Sequence, residues 1–144
     1  MKLPFIPEAE YEIRTRLSAD EVMNALRENT GAEGAIVNRK PFTGVIGKKA
    51  FCIDEWSPHI KIPFKPTLWG TVCENGEGAV VHVKLELGSL AVILYVILLI
   101  VGVVGIFTNF SLILPLPFYL FLMNAGFAAG AETSRTRLVR LIEK

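Results

Sequence analysis

Residues 11–17 alternate in character along the chain: Tyr11, Ile13, Thr15 and Leu17 are apolar or β-branched, and Glu12, Arg14 and Arg16 between them are charged. A period of two marks a strand with one face buried. At Ser18 the period changes to that of a helix. Ser18 is a good N-cap, Glu21 three residues on completes a capping box, and Leu17 can staple onto Val22. Val22, Met23, Ala25 and Leu26 then form an apolar stripe against Asp20, Arg27, Glu28 and Asn29 on the wet side, and Gly31 predicts the stop.

From Gly31 to Thr43 periodicity fades into a connector, with a short strand expected at 35–38. A β-meander follows. Strands are expected at 42–46 and 49–53 around the tight turn Gly47-Lys48, with a short edge strand at 59–64 between Pro58 and the Pro63 region. Further strands at 68–73 and 79–87 flank the turn Glu74-Asn75-Gly76-Glu77-Gly78. In the last of them Ala79, Val81, Val83, Leu85 and Leu87 share one face, and Val80, His82, Lys84 and Glu86 share the other. Such alternation predicts an antiparallel sheet covered on one side, and the helix capped by Ser18 is the obvious cover.

The pattern then stops being amphipathic. Residues 87–131 contain no Asp, Glu, Lys, Arg or His. About 20 apolar helical residues cross a bilayer, so this run has the length for two passes, at 90–107 and 112–131, joined by a turn near 108–111. Pro115 and Pro117 fall in the first turns of the second pass, where a missing N–H matters least. Residues 133–144 predict a separate amphipathic helix with Leu138, Leu141 and Ile142 on one stripe. The fold class expected is α+β: a small antiparallel β-meander covered by a capped helix, plus a transmembrane α-helical hairpin and a C-terminal amphipathic helix. The domains are 1–86, 87–131 and 132–144.

Charge adds the orientation. Of 144 residues, 15 are Lys or Arg and 14 are Asp or Glu, and residues 1–86 carry eleven of the former and twelve of the latter, a net of about −1. No basic face is available for a nucleic acid. In the tail Arg135, Arg137, Arg140 and Lys144 outnumber Glu132 and Glu143, which reads as cytoplasmic. Residues 1–9 include Pro4 and Pro7 and no apolar signal core. The expectation is an integral protein of the bacterial inner membrane with both termini cytoplasmic, and with Cys52 and Cys73 as reduced thiols.

Candidate functional residues fall into two groups. Gly102 and Gly105 in the first span, with Asn124, Gly126 and Gly130 in the second, suit close helix packing; Gly126 and Gly130 form a GxxxG pattern. Packing within the hairpin is favoured over a dimer seam, and Asn124 reads as a hydrogen-bonding contact between helices. Trp56, Phe64, Lys65 and Trp69 could rim a ligand groove or rest at the membrane surface. Against that, Trp69 is expected in the sheet's core, and for Trp56 a loop cap is as good a reading. His59, His82, Cys52 and Cys73 have no metal-site spacing, and no nucleotide-binding or nucleophile motif is present, so neither cofactor nor enzymatic activity is expected.

The order strand, capped helix, connector, meander and terminal helix, opened by residues 11–22, resembles a reduced helix-grip (START or Bet v 1-like) domain. That superfamily binds lipids and other apolar ligands between sheet and terminal helix. Here the sheet is short and the hairpin interrupts the order. The meander and hairpin, with Phe51-Cys52-Ile53 and Pro66-Thr67-Leu68-Trp69-Gly70, are also similar to small bacterial two-span membrane proteins. Neither resemblance brings functional residues with it. The function expected is a membrane-tethered binding or interaction module whose partners are the lipid bilayer and an unidentified protein or a second copy of the chain. The alternative is a helix-grip-like binder of an apolar ligand.

Overall fold

The computed structural model describes residues 6–31, 40–55 and 65–143. Along these run β1 (Glu8–Thr15), α1 (Ala19–Asn29), β2 (Thr30–Gly31), β3 (Phe42–Ile46), β4 (Ala50–Glu55), β5 (Pro66–Asn75), β6 (Gly78–Leu87), α2 (Ser89–Thr108), a single 3-10 turn (Phe110–Ile113) and α3 (Pro115–Ile142). The strands form one sheet in the order β1-β6-β5-β4-β3-β2. The fold is α+β, with α1 and the C-terminal half of α3 on the same face of the sheet.

Local chemistry accounts for the best-defined junctions. Ser18 Oγ accepts from the Glu21 amide at 3.3 Å while Glu21 Oε2 accepts from the Ser18 amide at 2.8 Å, the reciprocal box its sequence predicts. In the β5–β6 hairpin Asn75 faces Gly78, whose φ of 155° and the Thr15 carbonyl 2.1 Å from where a Cβ would lie both demand glycine. Ala79, Val81, Val83, Leu85 and Leu87 are all buried, as their alternation predicts.

The stop of α1 differs from expectation. Thr30, extended at φ −113° and ψ 125°, caps the helix, and with Gly31 it continues into β2, pairing in parallel with β3. A β-branched residue at the helix end favours extended backbone, so the chain passes straight into a strand. The sheet is therefore mixed, not wholly antiparallel. The strands expected at 35–38 and 59–64 lie outside the described residues.

Two further expectations are corrected. The uncharged limb and the basic tail are one continuous helix, because nothing between Gly130 and Ser134 breaks it: no proline, and apolar or small residues recurring at helical spacing. Met123, Phe127, Ser134, Leu138 and Ile142 are buried along one stripe that runs through the junction. A transmembrane hairpin of two spans is not supported: among the described residues one helix, Ser89–Thr108, is long and apolar enough to cross a membrane. Pro115, Pro117, Tyr119 and Asn124 dilute the apolar character of α3, and its second half is charged.

The core lies between the sheet and its two covering helices. Val22 and Leu26 of α1, Leu138 and Ile142 of α3, and Ile53, Leu68 and Leu85 of the strands have no exposed surface.

Candidate functional site

Among the described residues no helix covers the opposite face of the sheet. Strand register places Val45, Cys52, Trp69, Lys84 and Glu10 side by side across five strands. One step along the strands lie Ala50, Thr71, His82 and Glu12. These residues line a groove of about 720 Å³. Its floor is partly apolar: Val45 is 60% and Trp69 50% exposed. The core position expected for Trp69 is thus overturned. Trp69 pairs with Cys52 and Lys84, which share the open face, whereas its neighbours Leu68 and Gly70 point inward.

Charged groups border the floor. His82 Nδ1 lies 3.1 Å from Glu12 Oε1, and Lys84 Nζ lies 2.5 Å from Glu86 Oε1. The bond to Glu86, reinforced by the nearby charges of Glu8 and Glu10, holds the Lys84 ammonium above its ordinary pKa. Lys84 is therefore charged and already partnered. Among the described residues no three His, Cys, Asp or Glu side chains gather as metal ligands would.

Behind the sheet, α3 is tied down by polar contacts. Ser134 Oγ donates to Glu55 Oε2 at 3.0 Å, and Arg137 Nη1 meets Glu55 Oε1 at 2.5 Å. The Arg135 guanidinium lies 5.4 Å from the centre of the Tyr11 ring, and Thr15 Oγ1 donates to the Ile142 carbonyl at 3.2 Å. Burial pushes the Tyr11 hydroxyl up to about 12 against the pull of Arg135. That hydroxyl is buried without a hydrogen-bond partner.

The helix-packing residues divide. Gly102 and Gly105 are buried in α2, on a stripe with Ala91 and Tyr95, and a Cβ at Gly102 would touch Leu116 of α3 at 3.5 Å. Tyr119 Oη, from α3, donates to the Ala91 carbonyl at 2.9 Å. Gly130, in contrast, faces Pro66 of β5, so the second glycine of the GxxxG pattern serves helix-to-sheet packing, and Gly126 before it is half-buried. Asn124 is exposed and its Nδ2 donates to Leu120 O of its own helix at 2.8 Å, so it makes no bond between helices there. Lys65 is half-buried just before β5. Trp56 and Phe64 lie outside the described residues.

Sequence reasoning did not single out Glu10, Glu12, His82 and Lys84 as one surface. The alternation in β1 and β6 puts each on the polar face, but only their pairing brings them together. Compared with protein-family models, with curated proteins and with solved structures, the chain matches none.

Proposed function

We propose that the chain is a membrane-tethered binding or interaction module, non-enzymatic, in which α2 enters a bilayer and holds the α+β domain at its surface. The observation that carries this reading is the exposure of α2. Only 22% of its apolar window is buried within the protein. Leu90, Ile93, Ile97, Ile100, Val104 and Phe107 are bared along it. A helix of this composition in the core of a water-soluble protein is buried, and apolar surface on this scale marks contact with a membrane or a partner. Twenty residues rise about 30 Å, the thickness of the hydrocarbon layer.

The turn after α2 ties up several of its own polar groups, which lowers the cost of a low-polarity setting. Asn109 Oδ1 accepts from the Ser111 amide at 3.2 Å and from Ser111 Oγ at 2.9 Å, and Thr108 Oγ1 donates to Val104 O at 3.0 Å. The α+β domain lies on the cytoplasmic side in a bacterial cell, by the excess of Arg in the last helix packed against it.

Alkaline carbonate extraction of membranes tests the tether, and the protein is expected in the pellet. Labelling of the exposed Cys73 with an impermeant maleimide tests the side: reaction is expected in inverted vesicles and not in intact spheroplasts. Recovery of folded protein in the carbonate supernatant removes the reading.

A further inference from the structure

Among the described residues the open face of the sheet is acidic. Alternation places Glu8, Glu10, Glu12, Asp54 and Glu86 on it, against Arg14 and Lys84. Glu86 takes up the charge of Lys84, and Glu12 lies beside His82. Glu10, exposed at the edge strand, adds its charge to the same row as Trp69, two strands away with Lys84 between them. In the middle stands an indole with half its surface open. Its volume of about 720 Å³ puts the groove within the range of small-molecule sites, roughly 300–1,000 Å³.

An anionic ligand would meet a face of its own sign. A neutral apolar one would gain from Trp69 and Val45 but leave the carboxylates unused. A cation on an apolar body uses both, because a ring quadrupole attracts positive charge at its face and nearby carboxylates deepen the potential there.

We propose that this groove binds a small organic cation, a quaternary ammonium or protonated amine on a flat or aliphatic body, against Trp69, with the carboxylates of Glu10 and Glu12 setting the sign of its charge. The assignment rests on reading the domain as a binding module and is independent of the membrane tether. Trp69 holds the cation or the ring attached to it. Val45, two strands away across Cys52, extends the apolar floor.

Benzyltrimethylammonium is a suitable probe, titrated into the full chain in phosphatidylcholine nanodiscs, with empty nanodiscs as the blank and binding read by calorimetry and ligand-observed NMR. Saturable binding is expected with a dissociation constant on the order of a millimolar, the range for a ligand of this size. Phenylacetate, which has the ring and the opposite charge, is expected not to bind. Trp69→Ala should weaken the probe at least about fivefold and Trp69→Phe less. Glu10→Gln combined with Glu12→Gln should weaken it about three- to tenfold. All three side chains lie on the surface, and circular dichroism checks that each variant is folded.

The assignment is overturned by any of three results: no saturable binding above the blank, equal binding of phenylacetate, or an affinity unchanged in Trp69→Ala. Binding of an oligolysine peptide without the small cation likewise overturns it in favour of a protein partner. Carbonate extraction of the same variants separates the two readings: protein that stays in the pellet and ignores the probe loses the ligand and keeps the tether.

Discussion

Gly130 of α3 lies against Pro66 at the start of β5, so closely that a Cβ on residue 130 would come 2.7 Å from the proline Cδ. Neither partner can yield easily, since the ring is rigid and buried and the helix is fixed on both sides. The second half of α3 is thereby seated on the sheet, and the contact couples the apolar limb to the domain.

Gly130→Ala should therefore destabilise the protein by about 1–3 kcal/mol, the range for overpacking a filled site. Thermal unfolding in nanodiscs measures it. The oligomeric state by light scattering should not change, because the contact lies within one chain. A dimer that falls to monomer with the domain intact would show an intermolecular seam instead.

The Glu55 carboxylate, with its side chain only 10% exposed, holds both Ser134 and Arg137. Glu55→Gln leaves Arg137 without its counter-charge. Arg137 is about half exposed, so the penalty is smaller than for a fully buried pair, about 1–2 kcal/mol. A double-mutant cycle with Arg137→Gln should return a coupling above about 0.5 kcal/mol. Additive effects would show that the pair does not hold the helix.

Tyr11 offers a pH test. An unfolded tyrosine ionises near 10, and the folded one is raised to about 12, so the native state keeps its proton where the unfolded chain has lost it. Stability is undiminished below pH 10 and falls as pH rises toward 12. Tyr11→Phe should abolish that part of the fall. By removing a buried hydroxyl without a partner, it should also raise stability at neutral pH by about 1 kcal/mol. Parallel melting curves of the two proteins from pH 9 to 12 check both expectations.

Gly70 sits opposite Phe51 in the β4–β5 ladder, and a Cβ there would fall 2.1 Å from the ring's Cζ. Gly70→Ala should cost about 1–3 kcal/mol by displacing the buried ring. Combined with Phe51→Leu, the alanine should cost less than it does alone, and chemical denaturation of the four proteins in the cycle reads the difference.

Much of the architecture was legible because its signals are local. The box from Ser18 to Glu21 and the alternation from Ala79 to Leu87 each depend on residues a few positions apart and have their expected form, and the turn expected over 74–78 tightens to Gly76-Glu77, with Glu74 and Asn75 paired to Ala79 and Gly78. Helix α2 was legible for the same reason: an uncharged run needs no partner to be apolar, and its bounds fall within one residue of those expected. Gly31 misled because its neighbour Thr30 prefers extended backbone and could pair with β3, a partner invisible from nearby sequence.

Tertiary structure decided what period and composition leave open. Alternation says that Trp69 and Leu68 face opposite ways, but which face the helices cover depends on where α1 and the end of α3 dock. That docking gave the inner side to Leu68 and left Trp69 in the open. Alternation likewise makes Glu10, Glu12, His82 and Lys84 polar-facing without saying that they are neighbours, because β1 pairs with β6 across almost the whole length of the domain. The partner of Gly130 could not be read from GxxxG, which states only that something comes close. Whether that something is a helix or Pro66 is settled by packing the full stripe of α3 at once, since a helix seated at Leu138 and Ile142 carries Gly130 to the end of the sheet.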